Sequence, residues 1–260
     1  MTGSQEVLDP ALFGEPPARD SRFVVKDRWV ECENLPESHA DFENQFFHRQ
    51  MNEEINGLEN AARNLADFPD ADWDLRMWIA RQCSDEARHV LMFRRIYESR
   101  GGRVGQFPVL NFQYRIVAKI EDLIGRLTVQ NRSFEAGGID AVRFGIEEAH
   151  KRGDTEVADL FEAQQADEIL HVRFANEWIR EEIRRQPAKG LRVATALNTA
   201  AKAFMQVMGE EGTANVEYSV DTEGRLDAGF EFNEIKAAAA AASRRPATRS
   251  ESPDEHRSRR

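Results

Sequence analysis

Apolar residues recur every three to four positions along most of the chain, and the recurrence is interrupted at a few polar or proline-bearing breaks. From Asp41 to Leu65 the residues Phe47, Met51, Leu58, Ala61, Ala62 and Leu65 mark one helix face. Pro69 breaks the chain in DFPDAD, and Asp72 is placed to cap the next element. A second helix is predicted over 72–99 from Leu75, Ile79, Cys83, Val90, Phe93 and Ile96, with Gly101 and Gly102 ending it. A third, unbroken helix is predicted over 113–150, carrying Val117, Ile120, Ile124, Leu127, Phe134, Val142 and Ile146. The turn KRGD leads to a fourth over 155–185, with Val157, Leu160, Phe161, Phe174, Trp178 and Ile183 in phase. A fifth amphipathic stretch covers 191–209. Residues 215–232 read as a hairpin around Thr222, Glu223 and Gly224, and the alanine run after Ile235 reads as a short helix.

The connections set the topology. Short turns join helices one and two and helices three and four, so each pair is expected to be an antiparallel hairpin. The link 101–112 has no helical period. Its twelve residues reach about 40 Å when extended, enough to cross a 28-residue helix of about 42 Å end to end. The expected fold is therefore an all-α four-helix bundle with one long crossover. The expected organisation is an arm over 1–38, the bundle over 39–190, an additional helix and hairpin over 191–242, and a tail over 243–260. Prolines 10, 16, 17 and 36 interrupt the arm, whose one short apolar run is FVV at 23–25. The tail holds six arginines and three acids with almost nothing apolar, and is expected to be disordered. The 191–209 helix is left either to cap the bundle or to build a homodimer interface.

Composition removes several functions. Of 260 residues 31% are charged, and the net charge of −11 argues against a nucleic-acid binder. No stretch approaches the ~20 apolar residues of a membrane span. The first residues have neither a basic nor an apolar leader segment, so the expected location is the cytoplasm. Two cysteines, Cys32 and Cys83, exclude a disulfide framework, a CxxC site and a cysteine-rich metal site.

The candidate chemistry is a repeated string. Residues 82–90 and 164–172 both read QxxDExxHV. In each, Glu and His stand three apart on one helix face. Glu86 and His89 continue the apolar face of Leu75, Ile79 and Phe93, and Glu168 and His171 continue that of Leu160, Phe161 and Trp178. Burying such groups without partners costs several kcal/mol, which metal ions would relieve. A dinuclear carboxylate site needs one further Glu from the first helix of each hairpin. Glu86 is sixteen residues beyond Asp70, so its level on helix one is near 54, where Glu54 stands. By the same reasoning Glu168 is level with Glu135. Glu53 also fits by distance, but its helical neighbours are mostly polar, and Glu54 is preferred. Glu121 is too far down helix three and is expected to be a buried, hydrogen-bonded carboxylate.

Glu54, Glu86-x-x-His89, Glu135 and Glu168-x-x-His171 resemble the ligand set of the ferritin-like di-iron carboxylate superfamily over roughly residues 41–185. NEEINGLE and NRSFEAGG are similar to stretches of a bacterial ferritin-like family without an assigned activity. The resemblance implies a ferritin-like bundle with those six residues as metal ligands and catalytic centre. It also implies that Asp85 and Asp167 each accept a hydrogen bond from the histidine of the opposite pair; the alternative is two solvated helix aspartates. A mixed oxygen and nitrogen donor set suits iron or manganese. The implied cofactor is two iron ions, with a manganese–iron or a di-manganese pair as alternatives. The implied partners are O₂, a small organic substrate and an electron-donor reductase or ferredoxin.

Departures from known subclasses narrow the activity. His171 is present where storage ferritins typically lack a second histidine. The CxxC pairs of rubrerythrin are absent, and Phe93 stands where the ribonucleotide reductase radical subunit has a tyrosine. The expected function is oxidation of the substrate by hydroxylation, desaturation or N-oxygenation. An iron-binding protein without turnover and a di-manganese peroxide-dismutating enzyme are the alternatives. Gly137 and Gly138 either open room beside the site, permit a π-bulge or allow close helix packing. Phe47, Phe93, Phe134 and Phe174 line an apolar pocket or belong to the core. Cys83 is expected to be inert, Arg132 is a candidate partner for a substrate carboxylate, and His39, His48, His150 and His256 are expected at the surface or at helix ends.

Overall fold

The computed structural model describes residues 7–214 and 219–242. The expected disordered tail, with His256, and residues 215–218 of the expected hairpin lie outside them. The described chain is helical apart from two short strands. Helix α1 spans Phe42–Asp67 and α2 spans Trp73–Ser99. The turn between them works as expected: the Asp72 carboxylate accepts from the backbone N–H groups of Asp74 and Leu75 and caps α2. Helices α5 (Ala136–Arg152) and α6 (Thr155–Arg185) form the second pair. Gly153 closes α5 in the left-handed region at φ 71°, and Asp154 caps α6 through Val157 N–H. Each pair packs along its length, and α2 packs against α6 across the pairs. No helix among the described residues is long and apolar enough to cross a membrane.

The predicted unbroken third helix is instead a series. Helix α3 (Phe112–Lys119) stops, Ile120 turns extended, and α4 (Leu123–Val129) begins. A six-residue π-helical segment, Gln130–Glu135, then leads into α5. Local capping beats the apolar period here. The Asp122 side chain accepts from Gly125 N–H at 2.8 Å, starting a new helix. The carbonyl of Ile120 is taken by Arg126 Nε at 2.7 Å. Glu121, expected to be buried, sits exposed in this break.

Helix α1 carries a feature that its apolar period hides. Asn52, Asn56, Asn60 and Asn64 recur every four residues and are all buried. Together they serve the broken third helix and its approach. Asn52 donates to the Leu110 carbonyl, Asn56 accepts from Tyr114 N–H, Asn60 donates to Gln130, and Asn64 accepts from Arg126. Two of the amides satisfy backbone groups at the start of this series and two hold side chains of its later segments.

The rest of the chain covers this framework. In the arm, β1 (Val25–Lys26) pairs in parallel with β2 (Val109–Leu110) of the crossover. A 3₁₀ turn follows at Trp29–Cys32. Helix α7 (Lys189–Ala214), interrupted at Gly209, packs on α3 and α4 through Ala196, Ala200, Ala203 and Val207. The segment expected to form a hairpin holds a helix, α8 (Thr222–Asp227), because the Asp221 carboxylate caps Gly224 N–H. Helix α9 (Phe232–Ala242) follows, and Phe230 and Ile235 pack on Ile139 and Val172.

Gly105, in the crossover, has φ 85°, and an added Cβ would stand 2.0 Å from the Arg22 carbonyl oxygen. Gly105→Ala is therefore expected to cost more than about 1 kcal/mol. A urea transition would show this as a lower midpoint at unchanged slope.

A candidate metal centre

The six expected ligands come from four elements and meet in the middle of the fold. Glu54 projects from α1, Glu86 and His89 from α2, Glu135 from the end of the π-helical segment, and Glu168 and His171 from α6; all six are buried. Their donor atoms form two groups, each within 4.8 Å: Glu54, Glu86, His89 and Glu168, and Glu86, Glu135 and His171. Glu53 turns away, accepting from Gln113 at 2.5 Å.

Both histidines present Nδ1 to the centre, with ring centroids 6.3 Å apart. Glu86 sends one oxygen toward each, 3.6 Å from His89 Nδ1 and 3.7 Å from His171 Nδ1. Glu168 does the same, at 3.8 and 3.7 Å. Glu86 and Glu168 thus each face both imidazoles. Glu54 lies at the His89 end, 3.0 Å from its Nδ1, and Glu135 groups with His171.

The repeated string works across the two hairpins. His89 Nε2 lies 3.1 Å from Asp167, and His171 Nε2 lies 3.3 Å from Asp85. An aspartate on Nε2 fixes the ring and leaves Nδ1 as the inward donor. The leading glutamines cross as well: Gln82 donates to Glu135, and Gln164 donates to Glu54 at 2.9 Å. At the surface, Arg88 pairs with Asp167 and Arg81 with Asp85. The glutamine roles were visible in the sequence as part of the repeat, but not as contacts.

Two further features shape the site: the first is not anticipated from the sequence, and the second is among the alternatives raised by Gly137 and Gly138. Gly57 lies one turn beyond Glu54 on α1, and a Cβ there would stand 2.8 Å from the Glu86 carboxylate. Its only sequence signal is a glycine inside a good helix, which costs about 1 kcal/mol. The second is the π-helical segment. Ala136 N–H donates to the Asn131 carbonyl, five residues back. Five residues of α-helix would turn Gln130 roughly 140° away from Glu135. The wider turn instead lets both Gln130 and Asn131 donate to the Glu135 carboxylate. Gly137 and Gly138 follow directly, and an added Cβ at either meets nothing within 4 Å, so close helix packing is not their role.

Other expectations change. Arg132 is held by Asn176 and Glu234 and covers Phe230, so it ties α9 to the body. Phe47 and Phe93, Phe134, and Phe174 belong to three separate core clusters. His48, expected at the surface, is fully buried among Phe23, Tyr97 and Phe107, and its Nε2 accepts from Gly105 N–H at 2.8 Å. His39 and His150 are exposed, as expected. Burial pushes the half-buried Cys83 thiol up to about 11, which keeps it unreactive.

The electrostatics match a site built for cations. Burial pushes the Glu54, Glu86 and Glu135 carboxyls above the usual range. Burial opposes a charged His89, yet Asp167, Glu54 and Glu86 accept its protons and push it up to about 12. His171 is also raised, by Asp85 and Glu168 against the effect of burial. Asp85 is held low by His171. Glu168 Oε2 and His171 Nδ1 remain buried without a hydrogen-bond partner. Unpartnered donor atoms aimed into a carboxylate cluster leave room for an ion or a water, and the carboxylate and imidazole donors present could hold a pair of metal ions.

Gly57→Ala should leave the helix at least as stable, since alanine is the better helix former. It should also swing the Glu86 carboxylate out of the centre. The expected outcome is unchanged helicity with fewer than two metal ions retained, read by circular dichroism and elemental analysis. The raised carboxyls and imidazoles bind protons more tightly folded than unfolded, so their stabilisation is present at low pH and fades as pH rises. Between pH 6.5 and 8 the Tm of metal-free protein should fall. Metal loading should reduce or reverse that trend, because metal replaces the protons; equal slopes with and without metal would refute this.

No curated protein and no solved structure matches the chain. A family model matches residues 5–236, nearly the whole chain. The chain therefore belongs to the family described as "Protein of unknown function (DUF455)".

Proposed function

We propose that this chain is a ferritin-like dinuclear non-haem iron enzyme that uses O₂ to oxidise a small organic substrate. The observation that carries the reading is the paired geometry: two carboxylates each facing both inward imidazole nitrogens, and one terminal carboxylate at each end. That donor set, four carboxylates and two imidazoles, suits iron or manganese and offers no soft sulfur ligand.

Bound as a pair, the irons would supply two electrons to O₂. The chain's own residues hold and isolate the centre. Asp85 and Asp167 keep each Nε2–H engaged, so Nδ1 stays the donor. Gln82 and Gln164 orient the terminal glutamates. Phe93 and Phe161, in edge contact in the adjoining core, help exclude water. Hydroxylation, desaturation or N-oxygenation of one substrate would consume one O₂ and two protons, with two electrons from the substrate and the two from the iron pair. An external reductase or ferredoxin is the proposed electron source.

The test begins with metal analysis of protein loaded anaerobically with Fe(II). Near two irons per chain, with repeated O₂ consumption in the presence of reductant, is the expected result. Glu168→Ala should lose at least one iron per chain while remaining helical; full occupancy would contradict the ligand assignment. Iron uptake without repeated O₂ consumption would favour an iron-binding protein. Two manganese ions in protein from native cells would favour peroxide dismutation.

A further inference from the structure

The two ends of the centre are built from the same string but are not equivalent. A carboxylate offers about four lone-pair positions. Glu135 gives three of them to amide donors. Gln82 Nε2 and Gln130 Nε2 both reach Oε1, the latter at 3.1 Å, and Asn131 Nδ2 reaches Oε2 at 3.0 Å. The amides are themselves fixed, because Asn131 also donates to Gln82 Oε1 at 3.0 Å, and Asn60 donates to Gln130 Oε1 at 2.5 Å. Glu54 at the other end takes one amide, from Gln164, on Oε1. Its Oε2 faces His89 Nδ1, the nitrogen that a metal would engage.

The donor groups differ in the same sense. Glu54, Glu86, His89 and Glu168 bring donor atoms within 4.8 Å of one another, whereas at the other end only Glu86, Glu135 and His171 do, although Glu168 also faces His171 at 3.7 Å. Each amide bond draws electron density from Glu135 and weakens it as a metal donor. The single remaining lone pair restricts it to one-oxygen binding, whereas Glu54 is free to chelate.

Resting on the dinuclear reading above, we propose that the two metal positions are unequal. The Glu54–His89 position fills first and holds its ion tightly. The Glu135–His171 position binds its ion more weakly and keeps a coordination place open, so that small exogenous ligands attach to that ion. Gln82, Gln130 and Asn131 are the positioning residues that set the difference, and the π-helical segment is what brings the last two to bear.

The experiment titrates the full-length, metal-free protein anaerobically with Co(II), followed by calorimetry and visible absorption. Two steps about tenfold or more apart are expected, the scale of one hydrogen bond to a charged group. Added azide should change the bands of the second ion alone. Glu135→Ala should delete the second step, and Glu54→Ala the first. Gln130→Leu should narrow the gap between steps by several-fold, because it frees a lone pair on Glu135. A merely structural role would weaken both steps together. Gln130→Met, which keeps the side-chain length, serves the same purpose should the leucine variant fail to fold. Equal steps, azide acting on the first ion, or a gap unchanged in the Gln130 variants would overturn the proposal. Absence of any Co(II) binding would overturn the dinuclear reading itself.

Discussion

Buried negative charge is the constraint on which the structure turns. Glu54, Glu86, Glu135 and Glu168 occupy one water-poor volume, where unpaired carboxylates cost several kcal/mol each. Four carboxylates with two neutral imidazoles are balanced by two divalent cations. Behind them, Asp85 and Asp167 are balanced by Arg81 and Arg88. The loaded centre and its surroundings would thus be close to neutral in two concentric layers. In the same volume burial pushes the Glu54, Glu86 and Glu135 carboxyls up, and the surrounding carboxylates push His89 and His171 up against the effect of burial.

That constraint also fixes how the halves of the fold depend on one another. Each QxxDExxHV string supplies a Glu that faces both imidazoles and an inward His from its own helix, but its Gln and Asp serve the other hairpin. Each terminal glutamate takes a glutamine, and each imidazole Nε2 an aspartate, from the opposite hairpin. Docking of α2 against α6 therefore completes the polar network and closes the core in one event. Gly57 belongs to the same logic: only a residue without a side chain lets α1 approach while the Glu86 carboxylate stays central.

Much of this was legible because two periods coincide. A 3.6-residue apolar repeat and an ExxH pair share one helix face, level positions across a short turn point to Glu135 and to Glu53 or Glu54, and the apolar neighbours of Glu54 favour it. What was not legible depends on local competition or on distant partners. The break at 120–122 arises because Asp122 and Arg126 satisfy backbone groups that the helix would otherwise pair. Asp221 does the same before α8, turning an expected hairpin into a helix. His48 shows no pattern because its partner, Gly105 N–H, lies on the crossover. The asparagines of α1 read as a polar face, although their spacing of four marks a buried face once partners exist for every amide.

The asymmetry between the ends follows from where the chain is irregular. Helices α1 and the α3–α5 series occupy corresponding places in the two hairpins, yet α1 is continuous and its counterpart is broken twice. A continuous helix can bring only residues three or four apart to Glu54, and on α1 those places hold Gln50, Met51, Gly57 and Leu58. The π-helical segment adds the fifth position, and with it Gln130, to the surroundings of Glu135. Asn60, which fixes Gln130, belongs to the same buried row that supports the break. One set of amides therefore holds the irregular helix together and loads the Glu135 carboxylate. A change that straightened this helix would also make the two ends more alike.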